Sequence, residues 1–333
     1  MYKKNLLFIG LLLSRVVHAQ FAPQVGTAGT TAIHKDSSAF KAWATNCTLN
    51  LGWQNIADTT LGKTQVGDAS YVPGKAGSGV VSLGDAGEAV ITFEHPITNG
   101  EGFDFAVFEN GFIDQTLAPG TAFLELAFVE VSSDGINYTR FPATCLNDTT
   151  TQVGSFEGMF AQKINNLAGK YLGNYGTPFD LDELKNAPGL DVNYITHVKI
   201  IDVVGSIQDV YASRDSAGNK VNDPWPTGFA SSGFDLDAVG VIHQDITQGL
   251  ISLNGKQHVL VYPNPAAINQ RVSIDLPHPD AVLAVYDIMG NKIHSYSQTL
   301  NGSELSILFE QAGCYQLVIQ SNTGISQGRI MIH

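Results

Sequence analysis

Cysteine is nearly missing: Cys47, Cys145 and Cys314 are the only three among 333 residues. Three cannot all pair within one chain, so a disulfide framework is excluded, although Cys47 and Cys145 could form one bridge in an oxidising compartment. Cys314 sits in the apolar run Gly313-Cys314-Tyr315-Gln316-Leu317-Val318-Ile319 and is expected to be a small buried hydrophobe. Neither a Cys-x-x-Cys pair nor a His/Cys cluster is present, which removes zinc. Basic charge is also scarce. Lys and Arg number 18 against 31 Asp and Glu, for a net charge of −13. Such a surface repels phosphate backbones and anionic lipid, so nucleic acid is an unsuitable partner. Enzyme signatures are missing as well: no Gly-x-Ser-x-Gly elbow, no His-Glu-x-x-His, no phosphate-cradling loop. A glycosidase needs only two carboxylates and has no short motif, so that class stays open. Glu125 and Glu130 are not such a pair, because an odd spacing along one strand points them to opposite faces.

The one apolar run at the N-terminus, Leu6 to Leu13, is far shorter than the roughly 20 residues of a spanning helix. Lys3 and Lys4 precede it, and Val17-His18-Ala19 places small residues at −3 and −1 before Gln20. Residues 1–19 therefore read as a secretory signal peptide. Its removal takes away Lys3, Lys4 and Arg15, three positive charges, and leaves the rest of the chain near about −16. No later segment is long and apolar enough to cross a bilayer.

What is plentiful is glycine (34 residues) with Asn, Thr and Ser, while charged residues make up only 15%. That composition predicts many short strands joined by tight turns. In residues 20–244, apolar alternation marks strands over Val80 to Leu83, Glu88 to Phe93, Phe103 to Glu109, Phe123 to Val131, Ile136 to Phe141, Thr196 to Val204 and Phe234 to Ile242. Asn110-Gly111 and Asp134-Gly135 supply the positive φ angles of reversing turns. The fold class is all-β, an antiparallel sandwich or jelly roll. A helix is predicted to start at Thr177-Pro178-Phe179-Asp180. A second, over Ser37 to Ala44, would turn Phe40 and Trp43 to the core.

A polar stretch, 245–257, reads as a linker. Residues 258–333 then carry short alternating strands that describe a small immunoglobulin-like β-sandwich. Tyr262-Pro263-Asn264-Pro265, then Val285 to Ile293 around Gly290, then the run from Gly313, resemble the type A sorting domain of proteins exported by the type IX secretion system of Bacteroidetes. Cys314 stands where that family usually has an aliphatic residue. The resemblance implies Tyr262, Pro263, Asn264, Pro265, Gly290 and Gly313 as the sorting motif, the type IX machinery as partner, and a secreted or outer-surface location. In the central domain, Val80 to Gly87, Gly100 to Asn110, Val129 to Gly135, Ile200 to Gly205 and Gly233 to Gly240 resemble secreted surface proteins with galactose-binding-like jelly rolls. That likeness implies an architecture and a tendency to bind calcium and surface ligands.

The densest polar region runs from Asp202 to Asp237, with six Asp against Arg214 and Lys220. Calcium takes 6–8 hard oxygen ligands, and Asp-rich loops at strand ends supply them. Glu109, Asp215, Asp223, Asp235 and Asp237 are the candidate metal ligands, with Asp235 and Asp237 expected on one strand face. The bland alternative is that these carboxylates cap turns and strand edges. Trp225, between two prolines, is a candidate platform for a sugar ring or a stiff plug over one end of the sandwich. Asp58-Thr59-Thr60, Asp148-Thr149-Thr150 and Asp215-Ser216-Ala217 look like short O-glycosylation acceptors or ordinary turns. The leading functional expectation is a non-catalytic, calcium-stabilised binder of an extracellular ligand such as a glycan. An extracellular polysaccharide hydrolase and a structural or adhesive envelope protein are the rivals.

Overall fold

A computed structural model describes residues 21–245, 259, 261–275, 282–288, 290–297, 304–321 and 324–333. The expected signal peptide and most of the expected linker lie outside these residues. Beside two small two-stranded pairings, Ile164–Asn165 with Thr144–Cys145 and Asp235–Leu236 with Val81–Ser82, the central domain is built on two large antiparallel sheets. One has the order Ile33–His34, Tyr175–Phe179, Phe105–Phe108, Ala238–Val241, Ala42–Trp43; the other runs Leu167–Ala168, Ala127–Ser132, Ile195–Asp202, Glu88–Ile97, Asn46–Asn50. Thr139–Arg140 adds beside Ala127–Ser132. Strands that neighbour each other in a sheet come from distant parts of the chain, because the chain keeps crossing between layers. That is jelly-roll connectivity.

Alternation along the strands builds the core. Phe105 and Val107 from one sheet meet Ile91, Val129, Val131, Val198 and Ile200 from the other in a single cluster. The opposite face of the first sheet is also covered: Ala106 and Phe108 lie under Phe40 and Trp43, whose rings sit 5.6 and 5.4 Å from Phe108. A further cluster, including Leu124, Phe128, Cys145, Met159 and Val221, covers the outside of the second sheet. Burial on both faces explains why Phe103 to Phe108 reads as nearly unbroken apolar sequence.

Both expected helices are corrected. Thr177 and Pro178 belong to the strand Tyr175–Phe179, and the helical turn begins later, as a short 3₁₀ segment Leu181–Leu184. Asp180 is its cap, accepting from the Asp182 N–H. Over Ser37 to Ala44 the chain makes a turn and then the strand Ala42–Trp43, so Phe40 and Trp43 reach the core without a helix. The cysteines are all free thiols. Burial pushes the Cys47 thiol up to about 12 and Cys145 to about 11.

The C-terminal segment forms a three-stranded sheet (Val261–Tyr262, Arg271–Asp275, Glu304–Leu308) and a four-stranded one (Lys292–Ser297, Val282–Tyr286, Gly313–Ser321, Gly324–Ile332). Its core is its own, built from Val272, Ile274, Leu283, Val285, Leu317, Ile319 and Ile330 among others. Tyr315, Leu317 and Ile319 point inward, so Cys314 falls on the outer face and is half-buried, against expectation.

Candidate functional site: a layer of buried carboxylates

The strands of the jelly roll converge on one end where the long connections 51–87, 109–126 and 203–234 gather. There Asp85, Glu109, Glu125, Asp202, Asp223 and Asp235 are all buried, none more than 8% exposed. Among the described residues none of the six makes an ion pair. The two bases of the Asp-rich region, Arg214 and Lys220, are both spent on exposed Asp209, at 2.7 and 3.0 Å.

Four of the six hold loops by accepting hydrogen bonds. Asp202 accepts from the Phe234 N–H (2.7 Å) and the Ala86 N–H (3.1 Å), tying two loops to the end of the strand Ile195–Asp202. Asp223 accepts from the Leu126 N–H at 2.7 Å, and Asp85 from the Ile56 N–H at 2.7 Å. Asp235 accepts from the Ser82 hydroxyl and from the Asn110 amide at 2.9 Å. Replacing Asp202 by Ala orphans two inward-facing N–H groups, and is expected to cost about 3 kcal/mol in chemical denaturation. Asp202→Asn keeps one acceptor oxygen and should cost clearly less.

Glu109 and Glu125 are different. Glu109 ends the strand Phe105–Phe108; its Oε2 accepts from the Gly111 N–H at 2.8 Å, while Oε1 is buried with no partner. Glu125 stands just before the strand Ala127–Ser132 of the other sheet. Gly169, at φ +81°, lets the neighbouring chain pass against Glu125, since a Cβ there would strike the Glu125 carbonyl. Burial first, then the charge of Asp235, holds both glutamates well above the usual carboxylate range. Burial likewise raises Asp202 and Asp223, with Asp85 adding to each.

Of the five expected metal ligands, the structure brings Asp223 and Asp235 within electrostatic reach of Glu109. Asp215 and Asp237 are not part of this group. Asp215 closes its own turn, accepting from Ala217 N–H (3.0 Å) and Asn219 N–H (2.9 Å). Asp237 accepts from Gly77 N–H at 2.8 Å. Asp235–Leu236 pairs with Val81–Ser82 but Ala238–Val241 pairs with Phe105–Phe108, so the chain changes partner at Asp237 and the two-residue alternation breaks. Among the described residues no three His, Cys, Asp or Glu side chains stand grouped as a bound metal requires. Trp225 is 7% exposed and lies against Tyr211, ring centres 6.1 Å apart, so it is a plug and not an open platform. Its indole N–H turns towards Asp85 without closing a hydrogen bond. Asp58, Asp148 and Asp215 all cap their own turns.

The sequence reading weighed Glu125 only against Glu130 and did not place it with the other acids, although Leu124 and Leu126 on either side signalled a buried stretch. It also missed exposed aromatics at the same end. Phe156 (70% exposed) and Phe229 (42%) touch at 5.4 Å between ring centres, with exposed Leu61 near Gly228. At the other end, a cleft of about 410 Å³ is lined by Lys41, Thr98, Gly100, Ile242, His243 and Gln244. His243 Nδ1 lies 2.8 Å from Asp104, which is fully buried and also accepts from the Leu181 and Gly100 N–H groups.

In the C-terminal module the expected motif residues serve the fold directly. Asn264 bridges to the last strand, its amide donating to the Arg329 carbonyl (3.0 Å) and its oxygen accepting from the Met331 N–H (3.1 Å). Pro263 and Pro265 both follow cis bonds. Gly290, at φ +84°, turns the chain between Val282–Tyr286 and Lys292–Ser297, and Gly313 opens the next strand. Residues 260–333 match the secretion system C-terminal sorting domain. The chain is therefore a secreted or outer-surface protein, exported by the type IX secretion system, and its sorting domain engages that machinery. Among the described residues no helix is long and apolar enough to cross a membrane.

No curated protein matches the chain. Among solved structures it is similar to PorZ, a surface component of the type IX secretion system of Porphyromonas gingivalis. Identity is 14%, over 29% of this chain and 14% of that one, with a TM-score of 0.21. A β-1,2-glucanase from Parabacteroides distasonis is 8% identical over 89% of this chain and 38% of that one, TM-score 0.23. The BSP domain of a biofilm-associated protein is 10% identical over 89% and 52%, TM-score 0.19. The chain thus spans about half or less of each of these chains, and overlaps this slight leave the fold to be read from strand order alone.

Proposed function

We propose that the central jelly roll is a non-catalytic, cation-stabilised binding module, displayed outside the cell by the sorting domain, with a glycan as its ligand class. The observation that carries this reading is the pair Phe156 and Phe229, exposed and in contact on two loops, one tied to buried Asp202 through the Phe234 N–H and the other to buried Asn222 through the Val153 N–H. Flat apolar rings held at a fixed spacing suit the C–H face of a sugar, and a pinned loop loses little entropy on binding. Ser155 helps fix the spacing by donating to the Pro226 carbonyl at 2.5 Å. The galactose-binding-like resemblance of the central domain and the N-terminal secretory signal belong to the same proposal. For the hydrolase alternative, Glu109 and Glu125 are unsuited as the acid–base pair, because at 2% and 6% exposure they are closed to a polysaccharide.

The test is a glycan array followed by calorimetry. Phe156→Ala and Phe229→Ala are each expected to weaken the best array ligand by about tenfold or more, with an unchanged melting temperature. A wild-type protein that binds nothing on the array, or variants that bind as the wild type does, would refute the assignment.

A further inference from the structure

We infer that the cleft beside His243 is a second ligand site, which takes a free hydroxy acid of monosaccharide size. The acid's carboxylate pairs with Lys41, and one of its hydroxyl groups donates to His243 Nε2. The site shares no residue with the aromatic surface proposed above. Asp104 and Glu109 bracket the strand Phe105–Phe108, so the cleft and the carboxylate layer lie at opposite ends of it.

The cleft is built where the chain changes sheets. Past the strand Ala238–Val241, the Ile242 and His243 N–H groups both donate to the Asp104 carbonyl, at 2.8 and 3.1 Å. The His243 carbonyl then accepts from the Thr98 N–H at 3.2 Å, and Gln244 bridges to Ile97, the last residue of a strand in the other sheet. Lys41 comes in at the first sheet's edge, its N–H donating to the Val241 carbonyl at 2.8 Å. These segments wall a space of about 410 Å³, the size of pockets that hold one small molecule.

The His243 ring is fixed in place. Asp104 is fully buried, and its carboxylate accepts from the Leu181 N–H (2.7 Å) and the Gly100 N–H (2.8 Å) and lies 2.8 Å from His243 Nδ1. A carboxylate can only accept, so Nδ1 carries the hydrogen, and in the neutral ring Nε2 is left as an acceptor. A Cβ on Gly100 would strike the imidazole, so the bare backbone there lets the ring come in. About a third of the side chain (32%) stays open, and it lines the cleft. A ring held in this way loses little entropy when it accepts from a ligand.

Lys41 sets the ligand's charge. Among the described residues it makes no ion pair, and its ammonium donates to the Ser38 carbonyl at 3.0 Å, an exposed contact that a ligand replaces at little cost. In a chain with 31 acidic and 18 basic residues, a lysine at the mouth of a cleft without an acid partner is open to an anion. One cation and one neutral acceptor ask for two different groups on the ligand. A plain carboxylic acid would leave Nε2 unmet, and a neutral polyol would leave the ammonium unmet. Thr98 can serve a further hydroxyl, and Ile242 offers apolar surface to the C–H groups.

The experiment is titration calorimetry of the purified full chain at pH 7.5 with three probes built on a six-membered ring. Quinate carries a carboxylate and hydroxyls, cyclohexanecarboxylate lacks the hydroxyls, and inositol lacks the carboxylate. Quinate is expected to bind with a Kd of about 1 mM or tighter, and each of the others about tenfold more weakly or worse. Lys41→Met, at an exposed position, should erase the preference for quinate over inositol. His243→Phe should erase the preference over cyclohexanecarboxylate. Melting temperatures check that both variants fold, and Lys41→Met decides alone should His243→Phe not fold. Phe156→Ala/Phe229→Ala should bind quinate as the wild type does, so failure of the glycan reading is told apart from failure of this one. No quinate binding up to about 10 mM, equal affinity for the three probes, or a Lys41→Met chain with undiminished selectivity would each overturn the site.

Discussion

Removing residues 260–333 is expected to abolish appearance of the protein outside the cell while leaving the central domain's melting temperature unchanged. The first half follows from the match of those residues to the secretion sorting domain. The second follows from packing: the sorting domain's core is composed wholly of its own residues, and no side chain of the central clusters is lost with it. A transport defect is thereby separated from a folding defect, which truncations usually confound. Immunoblots of medium and of protease-shaved cells measure the export, and calorimetry of the truncated chain measures the fold. Equal amounts of full-length and truncated protein at the surface would overturn the role of the module. Asn264→Ala is a milder version. It removes both hydrogen bonds to the final strand and is expected to cost about 1–2 kcal/mol, with export reduced in proportion to the unfolded fraction.

How much of this was legible in the sequence depended on whether a feature is local. The strands Glu88–Ile97, Ala127–Ser132 and Ile195–Asp202 announce themselves by alternation, and the turn after Ala127–Ser132 by Asp134-Gly135, where Gly135 has φ +75°. Asn110-Gly111 misled, because Gly111 has no positive φ and bridges to Leu172 instead. The sorting motif is legible because it too is local: Asn264 and Gly290 act within a few residues or across one adjacent pairing. Thr177-Pro178-Phe179-Asp180 misled because a cap signal at Asp180 is real, yet the preceding residues pair with Phe105–Phe108, and tertiary pairing overrides local propensity. The carboxylate layer was legible only in part. Counting acids between Asp202 and Asp237 located the right end of the molecule. Which acids converge was fixed by the strand crossing, and that placed Glu125 with Glu109 while sending Asp215 and Asp237 elsewhere. Sequence spacing carries no information on such a crossing.

In chelator, the central domain is expected to lose stability as pH rises from about 5 to about 7.5, the reverse of ordinary acid denaturation. Glu109, Glu125, Asp202 and Asp223 all have folded-state values raised by burial. Across that window the folded chain holds more protons than the unfolded one. Stability is therefore complete below the unfolded carboxylate value near about 4 and drains away as pH climbs through the raised folded values. Two groups pull the other way. Burial lowers His197, so its contribution grows with pH, but it is one half-buried ring. Lys170, lowered to about 8 by burial, adds stability only above that pH. The exposed carboxylates such as Asp134 are held low by local hydrogen bonds and titrate below the window. Denaturant midpoints at half-unit pH steps give the curve, and Glu109→Gln/Glu125→Gln should flatten it. On the cation-stabilised reading proposed above, saturating calcium should flatten it as well in the wild type. A curve that keeps its slope in calcium would mean that protons alone balance the buried layer. A wild type whose stability in EDTA rises steadily from pH 5 to 7.5 would mean that the buried carboxylates are ionised and satisfied by the loop amides they hold.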